Sequence, residues 1–369
     1  MSILVIADDL TGAAEIGGIA LRYGLSVEIV HTCAVSTDKD VQILNTNTRS
    51  LKANEVLAHL RALFAADFSY RWDWIYLKFD SALRGHIVAE ISFYREAFQK
   101  DNVVFCPVNP ALGRVIANGL YWVEGKPIGE TDFARDPEFP VRKSGVLEAI
   151  GAETWMLAEE VPIAPHKDMP YTVAAVRDMD DLNRWAASST SFGIYAGAAA
   201  FFEALLHYRM SDFSTTVEDE PFLKSPLLYV CGSNHAHSIQ RVKNLNTDDV
   251  IYWRHIGEEE ELARNICQKI NKSGKVVFAV EPSHRVEARI IRTSMAQVVA
   301  LVQQHCAVQE LLIEGGATAR AVLEALHIDT LWPIWVYGQG VIRNDIPGTT
   351  WTVTLKPGSY PWTDKLWVF

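Results

Sequence analysis

Ile3-Leu4-Val5-Ile6-Ala7 runs without a polar side chain and stops at Asp8-Asp9-Leu10-Thr11-Gly12-Ala13-Ala14. A continuous apolar and β-branched run of this kind marks a strand buried on both faces. Ala13 to Arg22 then reads as a helix, with Gly24 as its C′ residue. Val27–Val30 follows as a second short strand. Strand, loop, helix, strand is the opening of a parallel α/β sheet.

The same alternation continues outward. Val41–Asn45, Trp74–Phe79 and Val103–Pro107 read as strands, and Ala53–Ala66 and Ile87–Phe98 as helices. Polar groups follow four of these strands: Asp8-Asp9, Asn47-Arg49, Asp80-Ser81-Arg84 and Asn109-Arg114. Parallel sheets bind ligands at the carboxyl ends of their strands, so one crevice is expected to collect all four. Val115 to Ser144 reads as an irregular, functional loop. Tyr171–Ala174, Leu182–Ala187 and Gly193–Ala196 resume the α/β pattern. The acidic segment Ser211 to Pro221 reads as a linker. Beyond it lie strands Leu227–Cys231, Val250–Trp253, Val276–Val280, Leu311–Ile313 and Thr350–Leu355, and helices Glu258–Asn271, Ala288–His305 and Thr318–Leu326. The expectation is two tandem three-layer α/β domains with mostly parallel sheets and an interdomain cleft. Their bounds are 1–210 and 223–369, joined by a linker at 211–222.

Composition agrees. At about 150 residues per domain, 369 residues make two domains. A chain that is 49% hydrophobic and 21% charged is neither disordered nor fibrous. The formal charge of −11, from 34 basic against 45 acidic residues, leaves no overall basic footprint, so no nucleic-acid partner is expected. The five cysteines form no CxxC pair, so no zinc site or redox motif is expected, and their odd number, scatter and apolar surroundings read as a reducing compartment. The longest uncharged stretch, Trp185 to Phe202, contains Ser188, Ser189, Thr190 and Ser191, and no membrane span is expected. No basic leader precedes the short apolar run at Ile3, so a cytoplasmic protein is expected.

Three constellations carry chemistry. Helix capping accounts for one acid of Asp8-Asp9. A second adjacent carboxylate at a strand end suits binding of sugar hydroxyls, a general base or a Mg²⁺ ligand. Lys78-Phe79-Asp80-Ser81-Ala82-Leu83-Arg84-Gly85 sets a cation, a carboxylate, a hydroxyl and a guanidinium around one turn. It reads either as an exposed Arg84–Asp80 pair or as an anion site, with Arg84 clamping a carboxylate and Gly85 allowing close approach. In the second half, Gly232-Ser233, Gly315-Gly316-Ala317-Thr318 and Lys356-Pro357-Gly358 are strand-end turns able to cradle phosphate. Each is also an ordinary turn. No GxxxxGK[ST], no GxGxxG after a strand, no HExxH and no GxSxG occurs. The histidines of the Gly232–Ser238 turn, His235 and His237, read as solvated.

These motifs resemble the four-carbon acid sugar kinases, a family long labelled a domain of unknown function. The Asp-Asp-Leu-Thr-Gly-Ala pattern is met at Asp8 to Ala13. Asp-Ser-Thr-Leu-Arg-Gly is met at Asp80 to Gly85 except for Ala82. A run of family motifs is met at Pro110, Gly113-Arg114, Asn118-Gly119, Gly125-Lys126-Pro127, Glu130-Thr131 and Phe133 to Pro137. The later motifs are looser. Asn45 and Asn47 replace acids, Asn234-His235-Ala236 replaces a Cys-Ser-Pro run, Ala317 replaces an acid, and the ending Lys356-Pro357-Gly358-Ser359-Tyr360 resembles Lys-Pro-Gly-Gly-Phe-Gly with the later glycines lost.

The resemblance implies an ATP-dependent kinase that phosphorylates a hydroxyl of a threonate, erythronate or 3-oxo-tetronate type acid, with Mg²⁺ bridging the phosphates. Arg84, helped by Arg49, would hold the substrate carboxylate, with Lys78, Ser81 and Gly85 around it. Asp8, Asp9 or Asp80 would bind hydroxyls and supply the base. Gly232, Ser233, Gly315, Gly316, Thr318, Lys356 and Gly358 would hold the nucleotide. No protein ligand to a metal is assigned, and a homodimer is left open. The second-half departures motivate another reading, a non-catalytic sugar-acid binder or sensor. A third is an enzyme on the same scaffold with a different acidic or phosphorylated substrate.

Overall fold

The computed structural model describes residues 2–32, 38–64, 72–136, 139–160, 169–188, 192–210, 221–233, 235–282, 286–358, 360 and 362–369. The expected linker segment 211–220, with Asn234 and Ser359, lies outside them. Two compact units emerge: Met1–Val27 with His31–Thr215, and Glu28–Val30 with Thr216–Phe369.

The first unit is built on seven parallel strands. Their order is Val41–Asn45, Ile3–Ala7, Trp74–Lys78, Ile194–Gly197, Val103–Cys106, Tyr171–Ala174 and Met156–Ala158. All five residues of Ile3–Ala7 and of Trp74–Lys78 are buried, as strands covered on both faces must be. Helix Leu10–Arg22 packs on Ala199–Arg209, and Ala53–Leu63 on Ile87–Ala97. Trp74, Tyr76, Tyr195, Phe201 and Phe202 form an aromatic core, and the Tyr76 hydroxyl donates to Ala198 O at 2.5 Å. In register, Ala7 lies beside Asn45 on one side and Lys78 on the other. That alignment brings Asp8, Arg49 and Asp80 to one end of the sheet.

Val115 to Ser144 is more regular than its composition suggests. Arg114–Ala117, Leu120–Val123 and Lys126–Pro127 form a three-stranded antiparallel sheet. Its turns are Asn118-Gly119 (φ 51° and 75°) and Glu124-Gly125 (φ 50° and 79°). Two successive positive φ values make the tight hairpin turn whose twist matches the flanking strands. Short 3₁₀ turns follow at Ile128–Glu130 and Asp132–Arg135.

In the second unit five parallel strands run in the order Val250–Trp253, Lys275–Val280, Leu227–Cys231, Glu310–Glu314, Thr352–Lys356. The antiparallel strands Val341–Asp345 and Thr330–Gly338 complete the series. The sequence reading missed that pair: Thr330–Gly338 carries Pro333 and two register irregularities, so no clean alternation survives. Thr330 and Leu331 pair with Val30 and Ile29 of the same unit. Helices Glu259–Ser273, Ala288–His305 and Gly316–Ala325 pack in sequence. Among the described residues no helix is long and apolar enough to cross a membrane.

Gly197 shows how closely the first sheet is packed at its carboxyl end. Its φ is +150°, and a Cβ built there would meet Cys106 O at 2.0 Å. Gly197→Ala should therefore cost about 3 kcal/mol of stability, since the neighbouring strand must move. Chemical denaturation of the purified variant measures this, and an unchanged midpoint would contradict the close approach.

Candidate active site

The helix after Ile3–Ala7 begins at Leu10, three residues earlier than its composition suggests, because Asp9 caps it. The Asp9 carboxylate accepts from Gly12 N at 2.9 Å. Asp8 is left for a different task. It is 1% exposed and held by Arg49 through two parallel bonds, Nε to Oδ2 at 2.9 Å and Nη2 to Oδ1 at 2.5 Å. Arg49 Nη1 lies 2.9 Å from Asp9 Oδ2. Burial lifts the Asp8 carboxyl to about 6, against the pull of Arg49.

The second motif folds over the first. Asp80 accepts from Ala82 N at 3.2 Å and Arg84 Nε at 2.6 Å, and Arg84 Nη1 reaches Asp136 at 3.4 Å. Burial alone would raise the Asp80 carboxyl. The guanidiniums of Arg84 and Arg49 outweigh it and hold the group well below the usual carboxylate range. Gly85 has φ +104°, and a Cβ there would stand 2.8 Å from Asp8 Oδ2. Only glycine lets this turn lie against the buried aspartate. Lys78 is buried and 3.3 Å from Glu15, and it donates to Phe79 O at 3.1 Å. Ser81 Oγ accepts from Arg114 Nη1, and the Tyr121 hydroxyl binds Ser81 O. Asp8, Asp9, Arg49, Lys78, Asp80, Ser81, Arg84 and Gly85 thus gather at the carboxyl ends of three adjacent strands.

One group escaped the sequence reading. Glu90, on Ile87–Ala97, is 1% exposed. An acid in the first turn of a helix looks like a partner for the helix dipole, and nothing in the sequence separates it from that role. The structure does. Ala7 O, Thr46 Oγ1, Thr48 Oγ1 and Glu90 Oε2 form a chain spaced at 3.1, 3.0 and 2.9 Å. Thr46 Oγ1 donates to Ala7 O and Thr48 Oγ1 donates to Glu90 Oε2. Burial and the nearby Asp8 charge raise the Glu90 carboxyl well above its ordinary range, with Thr48 and Arg49 opposing. Glu90 Oε1 has no partner among the described residues, which a neutral acid tolerates far better than a carboxylate.

The second-half turns also converge. Cys231, Glu314 and Lys356 are in register on neighbouring parallel strands. Gly232, Ser233, Gly315, Gly316, Thr318 and Gly358 therefore lie together at one edge. A Cβ on Gly232 would stand 2.1 Å from Thr318 Oγ1, and Ser233 Oγ donates to Gly358 O at 3.4 Å. Gly315 has φ +98° at the start of Gly316–Ala325, so backbone N–H groups open that helix. Lys356 is buried and already committed. Its ammonium lies 3.3 Å from Glu314, donates to Pro357 O at 2.8 Å and also donates to Tyr360 O. Glu314 also accepts from Ser238 Oγ and, at 2.8 Å, from Trp362 Nε1. Among the described residues no group of three or more His, Cys, Asp or Glu is placed to hold a metal ion.

A family model described as a sugar-binding N-terminal domain matches residues 3–233. The chain belongs to this family. Named relatives of the chain are kinases of four-carbon sugar acids. The chain is similar to a D-threonate kinase of Salmonella typhimurium, at 30% identity over 171 residues, 44% of this chain and 38% of that protein. It is also similar to a 3-oxo-tetronate kinase of Brucella melitensis, at 27% over 161 residues, 42% of this chain and 37% of that protein. A D-erythronate kinase of Heliobacterium modesticaldum matches at 26% over 169 residues, 44% of this chain and 38% of that protein. The matched stretch therefore spans less than two fifths of each of these relatives. The fold is shared along nearly the whole chain. A crystal structure from Salmonella typhimurium LT2 superposes with a TM-score of 0.80 at 16% identity, covering 98% of this chain and 96% of that one. Haemophilus influenzae protein HI1011 gives 0.75 at 17% identity, covering 98% of each.

Glu90 generates a test. Its carboxyl binds a proton more tightly folded than unfolded. The stability it contributes is therefore complete below the unfolded value and is lost as pH rises through the folded one. Glu90→Gln keeps an acceptor for the Thr48 hydroxyl and removes the titration. Its melting temperature relative to the parent should rise steadily between pH 5 and pH 8. A difference that stays flat across that range would mean that Glu90 is not the proton holder.

Proposed function

We propose that the protein is an ATP-dependent kinase that phosphorylates a hydroxyl of a four-carbon sugar acid of the threonate, erythronate or 3-oxo-tetronate kind. The observation that carries this reading is the gathering of Asp8, Asp9 and Asp80 at the strand ends under the hold of Arg49 and Arg84. It is supported by the names of the relatives, which are kinases of four-carbon sugar acids. Fixed carboxylates accept hydrogen bonds from vicinal hydroxyls and set their orientation. Asp8, lifted to about 6, is the better proton acceptor, and Asp80, held low, the better permanent acceptor of hydrogen bonds. The attacking oxygen bonds to the terminal phosphorus, the bond from that phosphorus to the ADP oxygen breaks, and the hydroxyl proton passes to one of the strand-end carboxylates Asp8, Asp9 or Asp80. Most of the acceleration comes from positioning and charge neutralisation.

The donor nucleotide fits the second-half turns. Gly232, Ser233, Gly315, Gly316, Thr318 and Gly358 lie where backbone N–H groups and a helix start receive phosphates, and Gly232 leaves no room for a side chain. Mg²⁺ is expected to arrive with the phosphates, which suits a donor set without a preformed carboxylate cage. Lys356 anchors its loop through Glu314 and two carbonyls, so its charge reaches phosphate only if that loop rearranges. This last observation favours the second reading, a sugar-acid binder without ATP chemistry. Calorimetry with a non-hydrolysable ATP analogue separates the two, because such a binder shows no nucleotide heat.

Purified protein with ATP, Mg²⁺ and a panel of four-carbon sugar acids should release ADP with at least one of them. No release above background across the panel would count against the kinase. With the active acid, kcat/KM should fall as pH drops below about 6, where Asp8 takes a proton and loses its ionised pairing with Arg49. Asp8→Asn should lower the rate at neutral pH by about 100-fold or more.

A further inference from the structure

We infer that Arg114 is the group that takes the carboxylate of the acid substrate, an assignment that rests on the sugar-acid reading of this same site. Four cations surround the strand-end carboxylates: Arg49, Lys78, Arg84 and Arg114. Three are already matched. Arg49 holds Asp8 and Asp9, Lys78 holds Glu15, and Arg84 holds Asp80 and Asp136. Adding a substrate carboxylate to any of these puts like charges side by side around one cation. Arg114 has no carboxylate within 4.0 Å among the described residues.

Its setting favours an anion. Arg114 is only partly buried, but its Nε is buried without an acceptor among the described residues, a donor that a ligand oxygen would satisfy. Nη1 donates to Ser81 Oγ. That serine keeps its own hydroxyl proton free to donate to the same ligand. The Phe133 ring lies 5.4 Å from the guanidinium carbon and steadies the group. Ser81 follows Asp80 in the chain, so a carboxylate on Arg114 and Ser81 directs the other end of a short chain toward the aspartates. Selection for an acid over a neutral polyol then comes from one uncompensated charge, and selection among hydroxyls from the carboxylates.

Calorimetry on the full chain tests this with D-threonate, D-erythronate and the uncharged four-carbon polyol threitol as probes. Wild-type protein should bind at least one acid, and bind it well above threitol. Arg114→Met should weaken that acid by about 100-fold, as loss of a charge-assisted contact does, while its affinity for an ATP analogue stays within twofold. Arg114→Lys keeps the charge without the planar fork and should lose about tenfold. The lysine variant carries the test if the methionine variant does not melt cooperatively. Acid affinity within twofold of wild type in a folded variant would overturn the assignment and leave the sugar-acid reading standing. Wild-type protein that binds no acid of the panel would overturn both.

Discussion

Arg49 commits its whole guanidinium to the end of one strand: Nε and Nη2 to the two oxygens of Asp8, and Nη1 to Asp9. Nearly everything else at that end of the first unit is placed by this contact. Asp8 is buried, and an unpaired carboxylate there would cost about 3–5 kcal/mol when its partner is lost. Asp9 must at the same time cap the following helix. One cation therefore fixes a strand end, a helix start and the loop after Val41–Asn45. The loop is held in addition by Arg49 N, which donates to Asp8 O at 3.1 Å. Gly85 then sets the distance at which the Asp80 turn can close on the pair.

The cluster stays ordered because its charges are divided unequally. Asp80 is held low by two guanidiniums, Asp8 is lifted by burial, and Glu90 behind them is raised by burial and by the Asp8 charge. Three carboxyl groups in one small region therefore do three different things at one pH.

The parallel strands were legible because each is an unbroken apolar run, and so was the placing of chemistry at their ends. Asp8, Asp9, Asp80 and the Gly turns were all found that way. Pairing was not legible. Nothing in the order of residues says that Arg49 belongs to Asp8, that Asp136 joins the Arg84–Asp80 pair, or that Lys356 is held by Glu314. Those contacts join residues far apart in sequence and depend on the register of neighbouring strands. The antiparallel elements failed for another reason. Arg114–Ala117 and Leu120–Val123 are only four residues each, and Thr330–Gly338 is interrupted by Pro333 and irregular register. The Asn118-Gly119 turn signal was present, but the strands beside it are too short to show their alternation.

The small antiparallel sheet has a consequence of its own. It is anchored by the Tyr121 hydroxyl on Ser81 O and Pro107 O and by Ile116 N on Val176 O at 2.8 Å. Arg114 sits at its first position, whereas the aspartates stand on the parallel sheet. The aspartates and Arg114 thus stand on different sheets, so a shift of the hairpin is passed to the Asp80-Ser81 turn through the Ser81 carbonyl that Tyr121 holds.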